Sequence, residues 1–173
     1  MLDASKFVWT PLSLAQPYKD RFLSKLRKEL LSWEGTPYRE NTCVKGMGVD
    51  CVRFVCAVLD HMQNGGNTDL PFLPQDASLH SPTSAKAAMR LIKSLYGPNY
   101  AVKDYTLEPG DVIVAGPEGG GPGHALIVGD QPNQIWHSTG RRVHRTGMSF
   151  YKTTAFPLIF RVYRHSDRRD WIY

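Results

Sequence analysis

Hydrophobic positions along the chain change period a little past the middle. Up to about residue 96 they recur at helical spacing. Phe22, Leu23, Leu26, Leu30 and Trp33 form one stripe with Lys and Arg on the other face, opened by Pro17 and closed by Gly35. Cys51, Phe54, Val55, Val58, Leu59 and Met62 form a second, which predicts an amphipathic helix that begins at Cys51, with Asp50 suited to its N-cap. After the breaker Gln63-Asn64-Gly65-Gly66-Asn67 and a Pro-containing loop from Leu70 to Pro82, Ser81 or Thr83 caps a third stripe of Ala85, Ala88, Met89, Ile92, Leu95 and Tyr96, stopped by Gly97-Pro98. Beyond it the apolar residues come in short runs between turn signals. Val112 to Ala115, His124 to Val128, Gln134 to His137 and Leu158 to Tyr163 read as strands. Helices followed by hairpin-linked strands predict an α+β domain.

Residues 1–16 lack periodicity and are expected to be an arm packed on a single domain of residues 17–165, with a basic and aromatic tail over 166–173. A chain of 173 residues is long enough to bury a real core. The tract Gly119 to Gly123 lacks the Lys-Ser/Thr ending of a phosphate-binding loop and precedes a strand, so it reads as a hairpin loop.

The net charge of +5 favours acidic partners, among them cell-wall polymers, nucleic acid and anionic membrane surface, without choosing between them. Much of it comes late, in Arg141, Arg142, Arg145, Arg161, Arg164, Arg168 and Arg169. Neither a signal peptide nor an apolar run of the roughly 18 residues needed to span a membrane is visible, so a cytoplasmic product is expected unless another machine carries it out.

Three cysteines crowded into one segment, Cys43, Cys51 and Cys56, do not form a secreted disulfide framework. Cys56 reads as a core residue, and Cys43 could pair with Cys51 under oxidation. Cys51 stands where unpaired N–H groups and the positive end of a helix dipole favour negative charge. Such a setting, with a cationic neighbour, can lower a thiol from a pKa of about 8.5 to roughly 3.5–7.5. Gly46 and Gly48 leave room for an approach to the sulfur. His124 and His137, both on predicted strands, are the candidates for base and ring-orienting partner, and the Cys51 N–H is a candidate oxyanion donor.

Taken together, Gly-x-Val-Asp-Cys51-Val-x-Phe-Val, Leu-x-Pro-Gly-Asp111-Val-Ile, Gly-His124-Ala-Leu-Ile-Val-Gly and Ile-Trp-His137-Ser resemble the NlpC-type cell-wall cysteine peptidases, a papain-like family. The resemblance covers about Trp33 to Thr139. It implies a cysteine helix packed on an antiparallel sheet that carries the histidines, and a Cys51/His124/His137 triad. It implies hydrolysis of amide bonds in peptidoglycan stem peptides, typically between D-glutamate and a diamino acid, with no metal or organic cofactor. Tyr38, in Gly-Thr-Pro-Tyr, matches a tyrosine placed beside the active site, and Asp50 is implied as a ligand for a substrate amine. The family usually follows its cysteine with Ser-Gly; here Val52-Arg53 stand there, and an Arg53 near the cleft would alter substrate preference. A leaderless domain of this type suggests a phage product with tail components as partners.

Three other readings use the same residues. An acyltransferase or thioesterase relative would need an apolar cleft. A non-catalytic tail or scaffold protein would have no use for Tyr38, Cys51, His124 and His137. A zinc site from Cys51, His124 and His137, with His144 as a fourth ligand, lacks the close ligand pair that usually starts one.

Overall fold

A computed structural model describes residues 2–3, 6–66, 85–86, 88–90, 92–93, 105–149, 158–165 and 168–172. Helix α1 spans Tyr18–Trp33, and its stripe of Phe22, Leu26, Leu30 and Trp33 is buried. Helix α2 spans Cys51–Asn64 and ends at Gly65, whose φ of 72° is the left-handed cap that glycine adopts without strain. Nearly every residue from Cys51 to Met62 is buried, so α2 is a central helix surrounded by the rest of the domain rather than a surface one. The described positions between 85 and 93 are helical, with Ala85, Ala88 and Ile92 inside. The caps and stop expected for that helix, and the loop before it, lie outside the described residues. Among the described residues no helix is long and apolar enough to cross a membrane.

The described residues include ten strands: β1 Leu2–Asp3, β2 Val8–Trp9, β3 Cys43–Val44, β4 Gly48–Val49, β5 Thr106–Leu107, β6 Val112–Gly116, β7 His124–Val128, β8 Gln134–Thr139, β9 Arg142–Gly147 and β10 Leu158–Tyr163. Six form one antiparallel sheet in the order β1-β10-β6-β7-β8-β9. One face, with Val114, Ala125, Ile127 and Trp136, packs on α2, and α1 packs on α2 in turn. The other, with Ile113, Leu126, Val128 and Ile135, is covered by Phe7, Leu107 and Met148. Burial on both faces accounts for the unbroken apolar runs of β6 and β7.

Strand β9 was not expected, because Val143 is its one fully buried apolar residue. Short hairpin β3–β4, also unexpected, turns at Gly46 and leads the chain into Asp50. The first residues of the chain pair with two separate strands, β1 with β10 and β2 in parallel with β5. Residues 168–172 form a 3-10 turn in which Trp171 stacks on Phe22 of α1, ring centres 5.7 Å apart.

A buried ionic cluster joins these pieces at the foot of β6. Asp111, fully buried, accepts from the Glu108 N–H at 2.8 Å, from Arg164 Nη2 at 2.8 Å and from Arg168 Nη2. Arg168 also donates to Glu108 at 3.0 Å, and the Ser13 hydroxyl donates to the same carboxylate at 2.8 Å. The Pro-Gly-Asp turn of the sequence is thus a junction between the N-terminal arm, the sheet and the last turn of chain.

Candidate active site

The site forms where the sheet opens. Strand β7 pairs with β6 from Val112↔Ile127 to Ala115↔His124, but with β8 only through Ile127↔Trp136 and Val128↔Ile135. Past Ile127 the two strands part, and the N-terminus of α2 meets the gap. There the backbone N–H groups of Ala125, Val52 and Cys51 itself lie close enough to the Cys51 sulfur to favour its charged form.

Asp50 sets the start of the helix. Its extended backbone (φ −87°, ψ 174°) and its Oδ1, which accepts from the Arg53 N–H at 2.8 Å, make it an N-cap. Its Oδ2 accepts from the Asn41 N–H at 3.0 Å and from Arg53 Nη1 at 2.6 Å. Both side chains of this ion pair are buried. The Arg53 guanidinium is therefore engaged with the cap that positions Cys51.

Cys51 is not the low-pKa thiol that its place in the first turn predicts. It is 4% exposed, and burial pushes its pKa up to about 12 against the opposing pull of the three N–H groups. Helix-end polarity is outweighed here by loss of water. The resting form is the neutral thiol. Cys43 and Cys56 are also free thiols, the latter fully in the core.

His124 and His137 are brought together: Nε2 of His124 lies 3.1 Å from Nδ1 of His137, so one nitrogen donates and the other accepts. His137 is 1% exposed, and burial, helped by the neighbouring His124 and His144, pushes it down to about 3; it is neutral. His144 faces His137 across the β8–β9 pairing with ring centres 4.5 Å apart. Its Nδ1 is 3.0 Å from the Arg142 carbonyl, and since a carbonyl only accepts, that nitrogen carries the hydrogen. The sequence offered His144 only as a spare metal ligand. Its role as a third ring in the row becomes visible once β9 is recognised, because alternate residues share a face.

Tyr38 is half-buried, and its phenol is pushed up to about 12 by burial and then by the nearness of Cys51, Glu40 and Asp50, so it remains a donor beside the sulfur. Segment 35–38 runs along the free side of β9: Gly35 N–H to the Val143 carbonyl at 2.9 Å, Val143 N–H to Thr36 at 2.7 Å and Tyr38 N–H to Arg141 at 2.9 Å. Buried Ser138 donates to the Val49 carbonyl at 2.7 Å, which ties β8 to the residue just before Asp50. Among the described residues no group of three or more His, Cys, Asp and Glu is arranged to hold a metal ion.

No family model matches this sequence, and no curated protein matches it. Solved structures do. The NlpC/p60 domain of the peptidoglycan hydrolase SagA aligns over 82% of this chain and 97% of its own, at 18% identity and a TM-score of 0.47. A protein from Staphylococcus aureus described as similar to a lipoprotein, of the NLP/P60 family, aligns over 90% of this chain at 17% identity and a TM-score of 0.51. This chain spans 43% of that protein's length. The shared architecture is the α+β fold of NlpC/P60 proteins, in agreement with the sequence expectation.

Proposed function

We propose that the protein is a cysteine peptidase that hydrolyses amide bonds in peptidoglycan stem peptides, with Cys51 as nucleophile, His124 as base and His137 as the residue that orients His124. The observation that carries this reading is the convergence of three elements. The start of α2 supplies the thiol, the start of β7 supplies His124 and an N–H close to the sulfur, and β8 supplies a neutral His137 within 3.1 Å of His124.

In this scheme His124 Nε2–H donates to His137 Nδ1, which leaves Nδ1 of His124 to take the thiol proton. Because the resting thiol is neutral, proton removal accompanies attack on the carbonyl carbon. The sulfur–carbon bond forms, and the carbonyl electron pair moves to oxygen, where the Cys51 N–H and the Tyr38 hydroxyl are the candidate donors. Collapse breaks the carbon–nitrogen bond as His124 returns the proton to the departing amine. Water, deprotonated by the same imidazole, then cleaves the thioester and restores the thiol. The linkage between D-glutamate and a diamino acid is the bond we assign as substrate. Asp50, engaged with Arg53 and the helix start, is assigned to holding the nucleophile in place.

Purified peptidoglycan and synthetic stem peptides, digested by the reduced protein and by Cys51→Ala, test this reading by mass spectrometry. Defined fragments from the parent and none from the variant are expected. Equal digestion by both, or no digestion by either, would refute it.

A further inference from the structure

The proposed chemistry uses two of the three rings that stand in a row on β7, β8 and β9. Nε2 of His124 and Nδ1 of His137 are 3.1 Å apart, with ring centres at 5.3 Å. His137 and His144 lie closer still, with ring centres 4.5 Å apart and planes inclined at 45°. That is the near end of the roughly 4.5–7 Å over which aromatic rings pair, so the two rings touch. His144 is itself tied down twice. It is the partner of His137 in a ladder that runs from Gln134↔Gly147 to Thr139↔Arg142, which fixes the backbone beneath both rings. Its Nδ1–H donates to the Arg142 carbonyl at 3.0 Å, which fixes the turn of its own ring.

Only one orientation of the His137 ring serves His124. The last torsion of a histidine side chain is broad and roughly two-fold. Half a turn would put a carbon where Nδ1 now stands, and the Nε2–H of His124 would lose its acceptor. Support from β7 is missing at this point, because the β7–β8 ladder ends at Ile127↔Trp136, one residue before His137. Strand β9 still grips β8 there, and His144 is its residue at that level. His137 is 1% exposed, whereas His144 is half-buried and closes the outer end of the row. The closeness also acts electrostatically, since His144 is among the neighbours that disfavour a charge on His137 and so keep it an acceptor.

We propose that His144 is a positioning residue. Its ring holds the His137 ring in the rotation that offers Nδ1 to His124, and through that bond it keeps Nδ1 of His124 available to the Cys51 thiol. Contact between two flat rings does this work, and the bond to the Arg142 carbonyl serves to hold the supporting ring at the right tilt. The catalytic meaning of the role rests on the proposed peptidase reading, whereas the orientation of His137 is measurable without turnover.

Nitrogen NMR of histidine-labelled protein at pH 8, above the ordinary histidine pKa of about 6.5, reads which nitrogen of each neutral ring carries the hydrogen. His124→Gln and His137→Gln identify the signals of the two rings. The parent is expected to show one form of His137, with the hydrogen on Nε2 and Nδ1 accepting. His144→Leu fills the same place without a flat ring, and His144→Phe keeps a ring. The Leu variant should give a second form of His137, or broadened signals from both rings, and the Phe variant should restore the parent pattern. With stem peptides, kcat should fall about tenfold in the Leu variant at unchanged KM, the scale of one misaligned hydrogen bond, and recover to within about twofold in the Phe variant. A His137 pattern that is the same in the Leu variant as in the parent, or is disturbed as much by Phe as by Leu, would overturn the positioning role. Patterns that change as expected, with no stem peptide cut by the parent protein, would keep that role and reject the peptidase.

Discussion

Replacing Asp111 by Asn tests whether the cluster at the foot of β6 holds the domain together. The carboxylate is fully buried and receives Arg164, Arg168 and the Glu108 N–H. Arg168 is itself 3% exposed. An amide of the same shape keeps one acceptor but turns an NH₂ group towards the guanidinium donors and removes the charge between them. Glu108 is then left to balance both arginines. Breaking one side of a buried ion pair costs about 3–5 kcal/mol. A domain of this size loses about 2–4 °C per kcal/mol, so the melting temperature should fall by about 6–20 °C. Thermal unfolding followed by circular dichroism reads this directly. The two single variants Asp111→Asn and Arg168→Met should also be non-additive, with the double variant less destabilised than their sum. A fall of under 2 °C for Asp111→Asn, or strict additivity, would show that solvent already screens the cluster and that its burial contributes little.

Three further outcomes follow from the site. Without substrate, alkylation of Cys51 by iodoacetamide should be slow at pH 7 and still accelerating at pH 10, since the thiol is pushed up to about 12; a plateau below pH 8 would reveal a preformed thiolate and contradict the buried, neutral resting state. His137 has a folded pKa depressed to about 3, so the unfolded chain binds the extra proton first as pH falls below about 6.5; stability is lost from there down to about pH 3, at up to about 1.4 kcal/mol per pH unit. Denaturant titrations of His137→Gln should be flatter across that window, and parallel curves for parent and variant would refute the assignment. Ser138→Ala removes the donor to the Val49 carbonyl and should cost about 1 kcal/mol, or about 2–4 °C, measurable by calorimetry.

The parts of the fold that the sequence made legible are those buried on a regular period. Helices α1 and α2 begin where Pro17 and Asp50 predict and end just before Gly35 and within the 63–67 breaker, and β6, β7 and β10 coincide with the apolar runs, the last interrupted by Arg161. Strand β9 escaped because its sequence Arg-Val-His-Arg-Thr-Gly buries one apolar side chain, and its pairing with β8 carries the rest. Strands β3 and β4 are two residues each, too short for any periodicity to register. At the site, the order Cys51, His124, His137 was readable as chemistry, but the protonation of the thiol was not. Helix position is local and visible in sequence, whereas burial of Cys51 depends on how α2 seats against β7, which no local pattern records. Likewise Asp111 reads as a turn residue until Arg164 and Arg168 arrive from more than fifty positions away.

The segment from Gly35 to Tyr38 does two things with the same three hydrogen bonds. It occupies the outer rim of β9, which would otherwise present unpaired backbone groups able to recruit a strand from another molecule. It also holds Tyr38 beside the thiol. If the proposed peptidase activity holds, variants of Thr36 or Pro37 that loosen this segment will damage solubility and turnover together, and lost turnover in such a variant has to be separated from self-association before it is assigned to chemistry.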